Sequence, residues 1–237
     1  MGQGGKDDAP ASTASTDARE AQQQRILAAA MACFARSGFH KASMQDICAE
    51  AGMSAGNLYR YFRSKEAIIA AIAEAERVRN AALFERLQRA EDPVRGLIEL
   101  ARCYLREMNS RDAPMLCTEI IAEALRNPEI RTMFERNINE AHAACAHALR
   151  QGIAQGHVDP NLDVDVAVRM LMALGDGIVA HRVIADFMTD DRTEAVLEVM
   201  LERFLRPHAA STVVLADTLS SQAASSRPTA APLPTSV

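Results

Sequence analysis

Apolar residues recur along the chain at three- and four-residue spacing, broken by short polar stretches, and no run of Val, Ile or Thr alternates between turns. That period puts the apolar positions on one face of a helix and predicts helices rather than strands. Polar caps mark the starts. Asp17 with Glu20 resembles a capping box before a first helix, and Ser43 with Asp46 another before a second. Ser54 caps a third helix, Ala55–Tyr61, and Ser64 a fourth that reaches about Ala90. Asp92 and Pro93 open a fifth, with Pro at the first helical position. A sixth begins near Pro114, Asn127 and Pro128 open a seventh reaching about Gln155, an eighth covers 163–187 and a ninth 191–205. The expected fold is all-α with about nine helices.

The faces of these helices differ. In the fifth, Val94, Leu97, Ile98, Ala101, Tyr104, Leu105 and Met108 make one stripe, and the ninth carries Val196, Leu197, Met200, Leu201 and Phe204. The eighth is apolar nearly all round, through Val164, Val168, Met170, Leu171, Leu174, Ile178, Val179, Val183 and Ile184 among others. Burial on every side needs cover on every side. A partner subunit or the middle of a monomeric bundle would provide it, and Gly175 and Gly177 would permit close backbone approach. With the ninth helix, the first alternative makes a symmetric four-helix interface.

Composition narrows the class. Apolar residues form 49% of the chain, yet Trp is absent and aromatics are only 4%, so helix formers dominate. Net charge is −5, which argues against a nonspecific coat for nucleic acid. The distribution matters more. Residues 36–65 carry five Lys and Arg against Asp46 and Glu50, while 67–237 carry 18 against 24 Asp and Glu. A small basic module on an acidic body is expected of local phosphate contact. The five cysteines are odd in number and widely spaced, which suits reduced core thiols. No leader is expected, Arg169 and Asp176 make the most apolar stretch too polar to span a membrane, and a cytoplasmic, nucleoid-associated protein is expected.

The basic module also carries a helix-turn-helix pattern. Gly38 fits a left-handed cap after the first helix, Ile47 and Ala51 face inward, Gly52 permits the turn, and Leu58 and Phe62 anchor the third helix. The DNA-facing candidates are then Ser54, Ala55, Gly56, Asn57, Tyr59, Arg60 and Tyr61. Small residues at a helix start let it approach base edges, Asn can pair with them, and Tyr hydroxyls suit phosphates. Ser43 and Lys65, at helix N-termini, are candidate phosphate contacts. Ser43 and Ser54 are caps in any case, and Tyr59 or Tyr61 could be packing residues.

The run AGMSAGNLYRYFRSKEAII, with Phe34, Gly38, Phe39 and Ile47 before it, resembles the N-terminal domain of TetR-family transcriptional regulators. The resemblance implies a homodimer of nine-helix subunits, with a helix-turn-helix DNA-binding domain at 19–66 and a ligand-binding and dimerisation domain at 67–206. Residues 1–18 and 207–237, rich in Ser, Ala, Thr and Pro, read as disordered tails. The family pattern implies that the last two helices make the dimer and that helices four to eight enclose a small, apolar effector, whose entry releases a palindromic DNA operator. Candidate lining is Tyr104, Met108, Cys117, Phe134, His142, Cys145, Met170 and Leu174, with Phe84 and Met115. Glu119, Glu123, His142, Asp176 and Arg182 are candidate polar handles.

Other chemistry finds little support. No nucleophile motif, Gly-rich phosphate loop or cofactor signature is present, so no enzyme and no cofactor is expected. His142 and His147 are poorly spaced for a metal on one helix face. A thiol sensor at Cys103, Cys117 or Cys145 stays open. So do an activator or nucleoid-associated role for the same head, and a ligand-binding protein that never meets DNA.

Overall fold

The computed structural model describes residues 11–110, 112–185 and 191–207, which form nine α-helices and no strand. They are α1 (Ala11–Ser37), α2 (Met44–Glu50), α3 (Ala55–Tyr61), α4 (Lys65–Gln88), α5 (Pro93–Glu107), α6 (Asp112–Ala124), α7 (Pro128–Gln155), α8 (Val164–Ala185) and α9 (Asp191–Leu205). Most of the expected caps are where the sequence puts them. Ser43 and Asp46 form a reciprocal capping box, and the side chains of Ser54, Ser64, Asp92 and Asn127 each accept backbone N–H groups at their helix starts. Asp163 does the same for Val166 at 3.1 Å.

Three boundaries differ. α1 begins at Ala11, inside the expected tail, so Asp17 and Glu20 sit within the helix rather than at its start. Extending a formed helix by Ala, Ser and Thr costs little, and an Asp inside it does not stop propagation. α6 begins at Asp112, which leaves Pro114 in the first turn, where its missing N–H has no intrahelical partner to lose. α4 ends at Gln88. Residues 1–10, 186–187 and 208–237, within the expected tails and the expected end of the eighth helix, lie outside the described residues.

Two apolar cores run through residues 11–207. The first joins Ile26, Ala30, Phe34, Phe39, Ile47, Leu58 and Phe62 to Ile68, Ile69 and Ile72 of α4 and Ile130 of α7. The head is thus keyed into the body by the first turns of α4 rather than hung from it. Each fully buried Ile or Leu here contributes about 1.5–3 kcal/mol. The second core gathers Leu87, Val94, Leu97, Ile98 and Leu105 with Leu149, Val158, Val168, Leu197, Leu201 and Leu205.

An ionic ladder sets the rotation of α9. Arg95, Arg102 and Arg106 of α5 face Glu194, Glu198 and Glu202 of α9, with Arg95 to Glu198 at 3.0 Å and Arg106 to Glu194 at 3.1 Å. Arg206 closes the end on Asp92 and Glu202. With Leu197, Leu201 and Leu205 turned inward, the stripe expected on one side of α9 divides. Val196 (59% exposed), Met200 (49%) and Phe204 (41%) point outward.

Candidate nucleic-acid interface

The turn between α2 and α3 is fixed by local chemistry. Gly52 has φ +61°, a left-handed conformation that L side chains rarely adopt. Arg25 of α1 crosses the turn and donates to the Gly52 carbonyl at 3.2 Å. A Cβ at position 52 would stand 2.9 Å from its guanidinium. Arg36 pairs with Glu50 at 2.9 Å, tying α1 to the end of α2.

α3 then presents its N-terminal end outward. Ser54, Ala55 and Gly56 are exposed, and a Cβ built on Gly56 would meet nothing within 4 Å. Tyr59 and Arg60 are exposed alongside, while Asn57 is half-buried at the helix start. Leu58 is fully buried and locks this orientation. Lys41 and Gln45 are also exposed, and neither stands out by sequence spacing. Ser43 is half-buried and occupied: its hydroxyl donates to Asp46 at 2.7 Å, holding that carboxyl below its ordinary range.

Two more of the residues assigned to DNA by sequence have other contacts. Tyr61 is half-buried and packs on the head core. The Lys65 ammonium donates to the carbonyls of Phe39 (2.6 Å), Ala42 (2.8 Å) and His40 (3.4 Å), and lies 4.5 Å from the centre of the Phe39 ring. An ammonium has three N–H groups. All three are engaged by the α1–α2 turn, so Lys65 acts as a strut.

The residues expected to line an effector site are spread over several places. Tyr104, on α5, reaches Asp176 of α8 at 3.3 Å, and its ring lies 3.2 Å from where a Cβ on Gly175 would stand. Cys117 of α6 and Glu76 of α4 act electrostatically on the same phenol. Burial raises Glu76 and Asp176 above the ordinary carboxyl range, and raises Tyr104 as well. Leu174 and Cys145 pack on the body core, and Met108 caps α5, its carbonyl taking a hydrogen bond from Arg182. Others depart from the expectation. Phe134 packs on the head core. Met170 is 60% exposed on the outer side of α8. His142 lies against the start of α8, 3.4 Å from the Asp165 carbonyl. Glu119 and Glu123 face the head rather than the body interior. A hollow of about 300 Å3 opens between the end of α4 and the start of α5, lined by Leu83, Leu87, Leu100 and Cys103, and none of the expected ligand residues borders it.

Two of the three candidate thiols, Cys117 and Cys145, are poorly disposed to sense oxidants. Burial pushes Cys117 up to about 11, with Asp176 and Glu76 adding to it, and burial alone pushes Cys145 up to about 11. Both stay protonated near neutral pH, and only a thiolate is a good nucleophile. The folded chain therefore holds these protons through a window in which the unfolded chain, with thiols near 9.0, has released them. Stability is expected to fall as pH rises from about 9 towards 11, by at most about 1.4 kcal/mol per pH unit for each thiol. Urea unfolding at pH 7.5 and 10.5 checks this, and Cys117→Ala with Cys145→Ala is expected to flatten the decline; an unchanged decline would refute the assignment.

No group of three or more His, Cys, Asp or Glu suited to a metal occurs among the described residues. No described helix is long and apolar enough to cross a membrane.

Residues 26–72 match the family model for bacterial regulatory proteins of the tetR family, and residues 100–206 that for the C-terminal part of BetI-type transcriptional repressors. The chain is 33% identical over 162 residues to the HTH-type transcriptional regulator UidR of Escherichia coli (strain K12), covering 66% of this chain and 79% of that one. Among solved structures, GusR of Salmonella enterica shares 31% identity at a TM-score of 0.67, covering 78% of this chain and 95% of that one. A transcriptional regulator of Saccharomonospora viridis in complex with choline shares 25% at a TM-score of 0.66, covering 80% and 100%. The exposed, capped α3, the two matched segments and these relatives lead to one conclusion: the chain belongs to the TetR family of bacterial transcriptional regulators and is not an enzyme.

Proposed function

We infer that the protein is a homodimeric repressor that binds a palindromic operator through α3 of each subunit, and that a small, largely apolar effector in the body releases it. The observation that carries the reading is the open N-terminal end of α3, where Ala55 and Gly56 leave room for base edges and Tyr59 and Arg60 flank them. Two such helices about 34–36 Å apart meet successive major grooves. An effector that favours another separation competes with DNA for the dimer. Apolar rows left uncovered on α8 and α9 support the pairing of subunits. The group formed by Glu76, Tyr104, Cys117 and Asp176 supplies the effector's polar end. Such a protein works in the cytoplasm, at the nucleoid.

Tyr59→Ala with Arg60→Ala is expected to weaken binding to a promoter-derived operator by about a hundredfold, at one to two kcal/mol per lost contact. The dimer should persist in sedimentation. Wild-type affinity in the double variant would contradict the contact assignment. Footprinting should show one protected palindrome overlapping a promoter, where a nucleoid protein would protect many dispersed sites.

A further inference from the structure

α6 packs on α1 as well as on α7 and α8, so it touches both the head and the body. Its two sides carry different chemistry. Glu119 and Glu123 are four residues apart and share one face, whereas Cys117 lies about half a turn away on the other. On the body side, Cys117 sits within the electrostatic reach of Tyr104, Asp176 and Glu76, from α5, α8 and α4.

On the head side, both carboxylates hold the turn between α1 and α2. Glu119 Oε2 accepts the Phe39 amide at 3.3 Å, and its carboxylate lies 3.1 Å from where a Cβ on Gly38 would stand. Gly38 has φ +78°, so the chain reverses there with only hydrogen bearing on the carboxylate. Glu123 Oε2 lies 2.8 Å from His40 Nε2. Glu123 is 4% exposed, and no other polar or charged described residue is classed as buried. A buried carboxylate is costly unless it is hydrogen-bonded, so packing alone would favour an apolar residue there. The carbonyls of the same turn are held by Lys65 of α4. Donors to α6 and acceptors to α4 leave the turn little freedom, and α2 follows it directly.

We propose that Glu119 and Glu123 are positioning residues that transmit the state of the body to the DNA-reading head: a displacement of α6 at Cys117 moves Phe39 and His40, and with them α2 and α3. Hydrogen bonds weaken steeply with distance and angle, so a shift of an ångström suffices to alter the grip. The inference rests on the reading of the chain as a DNA-binding regulator.

The test uses the full chain and a duplex selected by the wild-type protein from a random-sequence library. Cys117→Phe enlarges the body side of α6 and stands in for occupancy. With the clasp intact it is expected to weaken duplex binding by about tenfold or more, within the usual range of allosteric coupling. In Glu119→Ala, Glu123→Ala protein, where no side-chain oxygen remains to accept the Phe39 amide or to meet His40, the same change should alter affinity by less than about twofold, the signature of coupled rather than additive sites. An equal loss in both backgrounds would overturn the proposal, as would no loss with the clasp intact. Cys117→Leu, a smaller enlargement, is held to the same criterion if circular dichroism shows Cys117→Phe unfolded. Hydrogen exchange at the Phe39 amide tests the clasp without DNA. Cys117→Phe should speed it severalfold, and an unchanged rate overturns the proposal even if binding shifts. A wild-type protein that enriches no duplex would instead sink the regulator reading, while the exchange measurement still judges the clasp.

Discussion

Lys65→Met is expected to destabilise the head by about 2–3 kcal/mol and to weaken operator binding at least tenfold, with the salt dependence of binding unchanged. The ammonium binds three carbonyls of the α1–α2 turn and rests on the Phe39 ring. Hydrogen bonds involving a charged group are worth about 1.5–3 kcal/mol each in favourable cases, and half-burial discounts the set. Without it the turn loosens, and α2 and α3 lose the placement that reading needs. The salt dependence separates this role from a phosphate contact. Losing one phosphate contact lowers the slope of log affinity against log salt by about one. A slope reduced by that amount, with urea stability intact, would show that Lys65 meets DNA and is no strut. Arg should rescue poorly, since its planar fork cannot converge on three carbonyls as an ammonium does.

The second large effect concerns the proposed pairing of subunits. Met170→Glu with Phe204→Glu is expected to weaken dimerisation by about a thousandfold, roughly 4 kcal/mol, and to abolish protection of a full palindrome. Val166 and Met170 on α8 and Val196, Met200 and Phe204 on α9 lie at helical spacing and are exposed in the single chain. Their neighbours Val168, Leu197, Leu201 and Leu205 are buried inward. The arginine ladder from α5 holds α9 so that this division cannot rotate away. A carboxylate in a dry apolar interface costs several kcal/mol because no partner replaces its water. Sedimentation equilibrium reads the dissociation directly. A variant that stayed dimeric with full operator affinity would place the interface elsewhere.

The α4–α6 clamp on one turn also bears on how the molecule responds. Lys65 comes from the first residue of α4, whose later turns pack along α7. Glu119 and Glu123 come from α6, which contacts α8. Each helix thus contacts residues 38–42 without going through the other. Packed interfaces shift between discrete arrangements rather than deforming smoothly, so small displacements at the body can yield a defined new head position.

What could be read from the chain alone was chemistry within about one helical turn. Ser43 with Asp46, Ser54, Ser64, Asp92 and Asn127 cap their helices as expected, and Gly38 and Gly52 take the left-handed conformations their turns require. The caps work by bonds to N–H groups two or three residues on, so residue order is enough. The inward anchors Ile47, Leu58 and Phe62 followed from helical period in the same way. Tertiary structure decided the rest. Lys65 lies 23 to 26 residues from its carbonyl partners and Glu119 lies 80 from Phe39, so their pairing depends on how α4 and α6 are rotated against α1. Period alone places Phe134 and Met170 on apolar faces, but not which core, or which open surface, those faces meet. A helix's own sequence sets which residues share a side; only packing against other helices sets where that side points.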